Sequence, residues 1–229
     1  MKNLLIYIGP EKKFSPEHEA LTKIQIDNSL GLGWKLEDII LATDFAWEYH
    51  GVKTYVLPEG DYRALDGNRS SKIPVVNQLF KDGVIKPGEV YWFHDHDAFQ
   101  LEPITNFQLG SDVAVFTDHG NFSKLWNAGS FFFNSRAKDL FLLIGKTMKE
   151  RHLTEQYALT YLWDAGVVEK RLMNSTYNLG IYRLAENVSK ADKPLLVAHF
   201  HPAKPRHMRL YQNLLSERLK ALFRQYHYA

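Results

Sequence analysis

The sequence predicts an α/β fold: a single domain with a mostly parallel central sheet and helices on both faces. Three observations lead there. Short β-branched and aromatic runs alternate with helical stretches through the first half of the chain, the pattern of strand–helix–strand units. Several of these runs are apolar throughout rather than alternating, as strands buried on both faces are. Of the 229 residues, 45% are hydrophobic and 14% aromatic, which suffices for a full core and argues against intrinsic disorder.

The elements follow in order. LLIYIG (4–9) reads as a first buried strand. SPEHEALTKIQIDNSLGLG reads as a helix, with Ser15 as N-cap, Pro16 at the first helical position and acids in the first turn. It ends at Gly31 or Gly33. DIILAT (38–43) and KTYVLP (53–58) are short strands bounded by turn residues. SKIPVVNQLFKDGV is mostly helical after Pro74. EVYWFHDHD (89–97), DVAVFTD (112–118) and GSFFFNS (129–135) are strands. Residues 137–152 form an amphipathic helix and 154–166 another, with Gly166 past its end. PLLVAHFHP (194–202) is a late strand. Residues 206–227 form a last helix, whose apolar stripe runs through Leu210, Leu214, Leu215, Leu219, Leu222, Phe223 and Tyr226. The expected organisation is a domain over 1–205, with a basic amphipathic C-terminal helix within 206–229 packed on it.

Composition narrows the function. There is no cysteine, so there are no disulfides, thiolate metal sites or thiol nucleophiles. The apolar run at the N-terminus is too short for a signal peptide or a membrane span, which points to a soluble, cytoplasmic protein. Net charge is +2, yet residues 204–229 carry six basic residues and one acid, a local +5 that leaves −3 for the rest. A basic tail on a slightly acidic body suggests an anionic partner such as nucleic acid or anionic glycolipid, or else a solvated helix face. Phosphate-binding Gly-x-x-x-x-Gly-Lys, Gly-x-Gly-x-x-Gly and Gly-x-Ser-x-Gly motifs are absent from the sequence.

The chemistry concentrates at Asp95 and Asp97. In a strand, residues two apart share a face, so both carboxylates would address one site while His94 and His96 turn away. Two like charges so close repel unless a cation joins them, and carboxylate oxygens suit Mg²⁺ or Mn²⁺. With 13 aspartates in the chain an Asp-x-Asp pair alone carries no weight. Its place at the end of an aromatic strand does, because ligands of parallel sheets sit at the carboxyl ends of strands. His199 and His201 share a face of the late strand, with Lys204 soon after. An imidazole is a candidate third metal ligand and the lysine a candidate phosphate partner. Asn127-Ala128-Gly129 places small residues and an amide before a strand, where a ligand can approach the backbone closely.

The order Asp-x-Asp, Asn-Ala-Gly, acid-Gln, His and Lys-Pro resembles the GT-A glycosyltransferases, in particular the retaining family of glycogenin and bacterial lipopolysaccharide galactosyltransferases. The resemblance implies Mn²⁺ or Mg²⁺ and a nucleotide-sugar diphosphate at Asp95 and Asp97, with His199 as a third metal ligand and Lys204 on the phosphate. The His-to-Lys spacing is one residue shorter than the family's, which leaves His201 as an alternative ligand. Asn127, Ala128 and Gly129 are implied beside the sugar, and Glu155-Gln156, with Glu where the family has Asp, near the reacting carbon. Ile8, Gly9, Thr43 and Asp44 would flank the base and ribose, and Lys72 would reach the donor. An inverting reaction would need a general base, for which Asp118 and Glu155 are the candidates; a retaining one would not. The implied function is hexose transfer from a nucleotide sugar, with a UDP-sugar as first guess, to a hydroxyl on a hydroxymethylated DNA base, a glycan or a lipid. Two rivals remain: a nucleotidyltransferase, which also uses paired aspartates, and a non-catalytic nucleic-acid-binding protein.

Overall fold

A computed structural model describes residues 1–63, 71–104, 107–117, 127–168, 172–173, 175–181, 184–200 and 209–228. The elements are β1 (Lys2–Tyr7), α1 (Pro16–Gly31), β2 (Ile39–Thr43), β3 (Glu48–Tyr49), β4 (Val52–Val56), α2 (Lys72–Lys81), β5 (Val90–His94), β6 (Ala98–Gln100), β7 (Ala114–Thr117), β8 (Asn127–Asn134), α3 (Lys138–Arg151), α4 (Glu155–Asp164), β9 (Leu172–Met173), β10 (Leu179–Gly180), α5 (Leu184–Lys190), β11 (Val197–His199) and α6 (Glu217–Gln225).

The main sheet has the order β3-β4-β2-β1-β5-β8-β7-β9. Strands β4, β2, β1 and β5 run parallel, and β8 is antiparallel to both β5 and β7. The predicted parallel sheet is thus parallel in its first half and mixed in its second. Both faces are covered. Tyr91 and Phe93 of β5 join Leu4 and Ile6 of β1 and Phe131 and Phe133 of β8 in the core shared with α2, α3 and α4. The intervening Trp92 and Phe132 enter a separate core on the other face. Burial on both faces is why these strands read as unbroken apolar runs.

A second sheet, β10-β11-β6, begins where β5 ends. The strand predicted over 89–97 stops at His94, and Asp95–Asp97 form a tight turn in which Ala98 N–H donates to Asp95 O at 3.0 Å. The chain then enters β6. The aspartate pair therefore sits at the joint between the two sheets, not on a strand face.

Helix α1 holds that joint. Ser15 caps it, its Oγ accepting from His18 N–H. Thr22, Gln25, Asn28 and Ser29 are buried beside Leu21, Ile24 and Ile26, so the helix has no simple apolar stripe. Gln25 Nε2 donates to His96 O and Ala98 O at 2.9 and 3.0 Å, and Asn28 Nδ2 donates to Gln100 O at 2.8 Å. These amides satisfy carbonyls on the edge of β6 that faces away from β11, groups that would be costly to bury unpaired.

The last helix predicted over 206–227 is interrupted: residues 206–208 lie outside the described residues, 209–210 are helical, and a new helix starts only at Glu217. Ser216 caps α6, its Oγ accepting from Leu219 N–H, and a 3₁₀ turn at Gln212–Leu214 precedes it. Leu219 and Phe223 are buried with Leu21 and Ile24 of α1 and Phe99 of β6. Part of the basic face is engaged: Lys220 pairs with Glu217 at 2.7 Å, and the Arg218 guanidinium fills the space beside Gly31. That puts a cation at the end of α1, whose own last turn has none. The late strand shrinks from 194–202 to Val197–His199. Among the described residues no helix is long and apolar enough to cross a membrane.

Candidate active site

The joint between the sheets gathers three of the predicted residues. Ligand atoms of Asp95, Asp97 and His199 all lie within 4.8 Å of one another. Asp95 is placed by its backbone, whose N–H donates to Gly129 O at 2.8 Å, and Asp97 by its carbonyl, which accepts from Phe200 N–H at 2.9 Å. His199 pairs with Ala98 across β11 and β6, so the short second sheet carries it to the turn. His94 and His96 do point away. Both are buried, and desolvation pushes the His94 imidazole down to about 4 and that of His96 to about 3. His94 Nε2 meets Asn3 Oδ1 at 2.9 Å, and its ring stacks on Trp92. These two histidines are neutral parts of the scaffold.

Lys72, the first residue of α2, is buried under the site. Its Nζ lies 2.8 and 3.1 Å from the two Asp95 oxygens, 3.0 Å from Ala128 O and 3.6 Å from Glu155 Oε1. Desolvation pulls its pKa down, but Asp95 and Glu155 more than offset this and hold it above the usual lysine value. The three ammonium protons are committed to protein oxygens. In this structure Lys72, expected from the sequence near the donor, contacts Asp95, Ala128 and Glu155. Glu155 is also buried, and its Oε2 has no hydrogen-bond partner among the described residues.

An asparagine that the sequence did not single out orders the rest. Gly129 N–H donates to Asn127 Oδ1 at 2.7 Å, which identifies that atom as oxygen. Asn178 Nδ2 donates to the same oxygen at 2.8 Å and to Thr117 Oγ1. The Asn178 oxygen is therefore the atom 2.9 Å from His199 Nδ1, and Nδ1 must carry the proton. In a neutral His199 the lone pair is then on Nε2, 3.1 Å from Asp97 Oδ1. Two electron pairs at that distance repel. The contact requires a proton on Nε2 or a cation shared by both atoms. Two carboxylate oxygens and an imidazole nitrogen gathered this closely are a donor set that suits a divalent cation.

Gly129 completes the packing. A Cβ there would stand 2.2 Å from His199 Cε1 and 2.8 Å from Asn127 Oδ1. We expect Gly129→Ala to cost about 1–3 kcal/mol in stability by overpacking, and to weaken Mn²⁺ binding as the imidazole is displaced. Thermal unfolding with and without Mn²⁺ checks both.

The nucleotide side is less direct. Thr43 ends β2 opposite Tyr7 of β1. Its hydroxyl donates to Phe45 O, and Asp44 Oδ1 accepts from Gly9 N–H at 2.8 Å, so both side chains brace the loops there. Ile8 is buried beneath. Gln156 lies on the first turn of α4, next to Glu155. Asp118, His201 and Lys204 lie outside the described residues.

Comparison with solved structures gives the fold an independent footing. The galactosyltransferase LgtC, solved with donor and acceptor sugar analogues, superposes with a TM-score of 0.60 at 14% identity, covering 97% of this chain and all of that one. A glycosyltransferase involved in glycosylation of the major capsid of PBCV-1 gives 0.58 at 12% identity, covering 93% and 100%. The glycosyltransferase GlyE of Streptococcus pneumoniae gives 0.59 at 10% identity; the match covers 98% of this chain and 63% of GlyE. No protein-family model matches the chain, and no curated protein matches it by sequence. At these identities the likeness is one of fold, and the fold this chain shares with them is the GT-A glycosyltransferase fold.

Proposed function

We propose that the chain is a metal-dependent glycosyltransferase, moving a hexose from a nucleotide diphosphate sugar, with a UDP-sugar as first candidate, to an acceptor hydroxyl. One observation carries the reading: Asn178 fixes the His199 tautomer so that Nε2 presents a lone pair beside Asp97 Oδ1, in a cluster with Asp95. Asp95, Asp97 and His199 would hold Mn²⁺ or Mg²⁺. Bound there, the ion would supply charge stabilisation to a leaving diphosphate. Lys72 keeps Asp95 oriented. Gly129 leaves room for the imidazole, and Asn127 with Asn178 holds it in register. Glu155 supplies the carboxylate near the sugar. It takes the acceptor proton in an inverting course, or faces the positive charge growing on the sugar carbon in a retaining one. Lys204 adds positive charge toward the diphosphate, and Asp118 and His201 stay secondary candidates for base and ligand.

The partly engaged basic face of α6 lends little support to a DNA acceptor. Thermal-shift screening against nucleoside diphosphates and nucleotide sugars, with and without Mn²⁺, tests the proposal, since a ligand of the folded state raises its stability by mass action. We expect a metal-dependent shift with one base. A folded protein that responds to no diphosphate overturns the reading.

A further inference from the structure

Helix α6 and the residues after it lie along α1 from its last turn back to its first. The Arg218 guanidinium sits beside Gly31, and Leu219 and Phe223 are buried with Leu21 and Ile24. Tyr226 donates to Asp27 Oδ2 at 2.6 Å, and Tyr228 donates to Glu17 Oε1 at 3.2 Å. Glu17, Leu21, Ile24 and Gly31 recur at helical spacing, so one face of α1 receives the segment. A tight cap fixes its end. His227 takes the left-handed conformation, with φ 51°, and the N–H groups of His227 and Tyr228 donate to Arg224 O at 3.2 Å and Phe223 O at 2.9 Å. This turn folds the buried Tyr228 back against Phe223 and onto α1.

Helix α1 also braces the turn that carries the candidate metal ligands. Gln25, next to Ile24 in sequence, gives its Nε2 to His96 O and Ala98 O. Strand β6 leaves the same turn, and its Phe99 packs edge-on against Phe223 with ring centroids 5.0 Å apart. Burial pushes the Tyr228 phenol up, and the Glu17 and Asp97 carboxylates add to this, so the end of the segment lies within electrostatic reach of Asp97.

We propose that the C-terminal segment is a docked strap that positions the metal ligands: its hold on α1 and β6 keeps Gln25 on the Asp95–Asp97 turn, and undocking it lowers metal affinity. Tyr226 and Tyr228 are its positioning residues. This rests on the metal-dependent transferase reading.

The test is Mn²⁺ titration of the full chain followed by electron paramagnetic resonance. Tyr226→Phe combined with Tyr228→Phe removes the two bonds to α1 and keeps the rings. His50→Asn is the control: His50 Nδ1 lies 2.9 Å from Asp27 Oδ1 but belongs to the turn between β3 and β4, and asparagine tolerates its left-handed backbone. We expect the tyrosine variant to bind Mn²⁺ about fivefold or more weakly, and His50→Asn to stay within about twofold of the parent. Added to Gln25→Leu, the tyrosine changes should cost less than they cost the parent. Coupling is reciprocal, so saturating Mn²⁺ should also slow tryptic cleavage at Arg218 and Arg224. Unchanged affinity in the tyrosine variant, an equal loss in His50→Asn, full additivity with Gln25→Leu, or a cleavage rate indifferent to Mn²⁺ overturns the proposal and leaves the transferase reading standing. An unmodified protein that binds no Mn²⁺ overturns both.

Discussion

Lys72→Met is expected to lower the stability of the metal-free protein by about 3–5 kcal/mol, because it leaves the buried Glu155 and the partly exposed Asp95 without their counter-charge. For a chain of this size that corresponds to a fall of roughly 6–20 °C in melting temperature. Methionine keeps the volume, so cavity formation contributes little and the loss is electrostatic. Nζ touches both Asp95 oxygens and stands 3.6 Å from Glu155, itself buried with an unpartnered oxygen. The same variant gives a second, sharper readout. With the ammonium gone, Asp95 loses its cationic partner and a divalent cation gains in value there, so Mn²⁺ should stabilise Lys72→Met by more degrees than it stabilises the unmodified protein. Differential scanning calorimetry with and without Mn²⁺ measures both. A melting temperature within about 2 °C of the parent would mean that the carboxylates are solvated and that Lys72 does not organise the site.

How much of this was legible in the sequence depends on the scale of the interaction. Strands β1 and β5 and helix α3 announce themselves by local pattern. So does the start of α1, where Ser15, Pro16 and the acids act within one turn. Asp95, Asp97 and His199 were legible as residue types in a familiar order, and the fold brings them together. The turn at Asp95–Asp97 was not legible, because it is imposed by the second sheet and by Gln25 and Asn28 reaching across from α1. Those amides also erase the apolar periodicity of α1. The interruption of the last helix was not legible, because the 3₁₀ turn at Gln212–Leu214 and the cap at Ser216 break a continuous apolar spacing. Asn178, in an ordinary-looking Ser-Thr-Tyr-Asn stretch, carries no local signal. Its importance comes from contacts to Thr117, Asn127 and His199, each more than 20 residues away in sequence.

That asparagine supports the second large prediction. Asn178→Ala should weaken Mn²⁺ binding about 10–100-fold, the usual penalty for losing the partner that orients a ligating imidazole. The cause is specific: without the Asn178 oxygen, His199 Nδ1–H loses its acceptor, the tautomer with the proton on Nε2 becomes available, and that proton occupies the position where Nε2 would ligate. His199→Ala removes the ligand altogether and should cost at least as much. Because Asn178 acts through His199, the double variant should bind Mn²⁺ no more weakly than His199→Ala alone. Mn²⁺ titration followed by electron paramagnetic resonance gives the four affinities of the cycle. If the two losses add instead, Asn178 acts on the site by a route other than the imidazole, and the tautomer that assigns Nε2 to the metal loses its support.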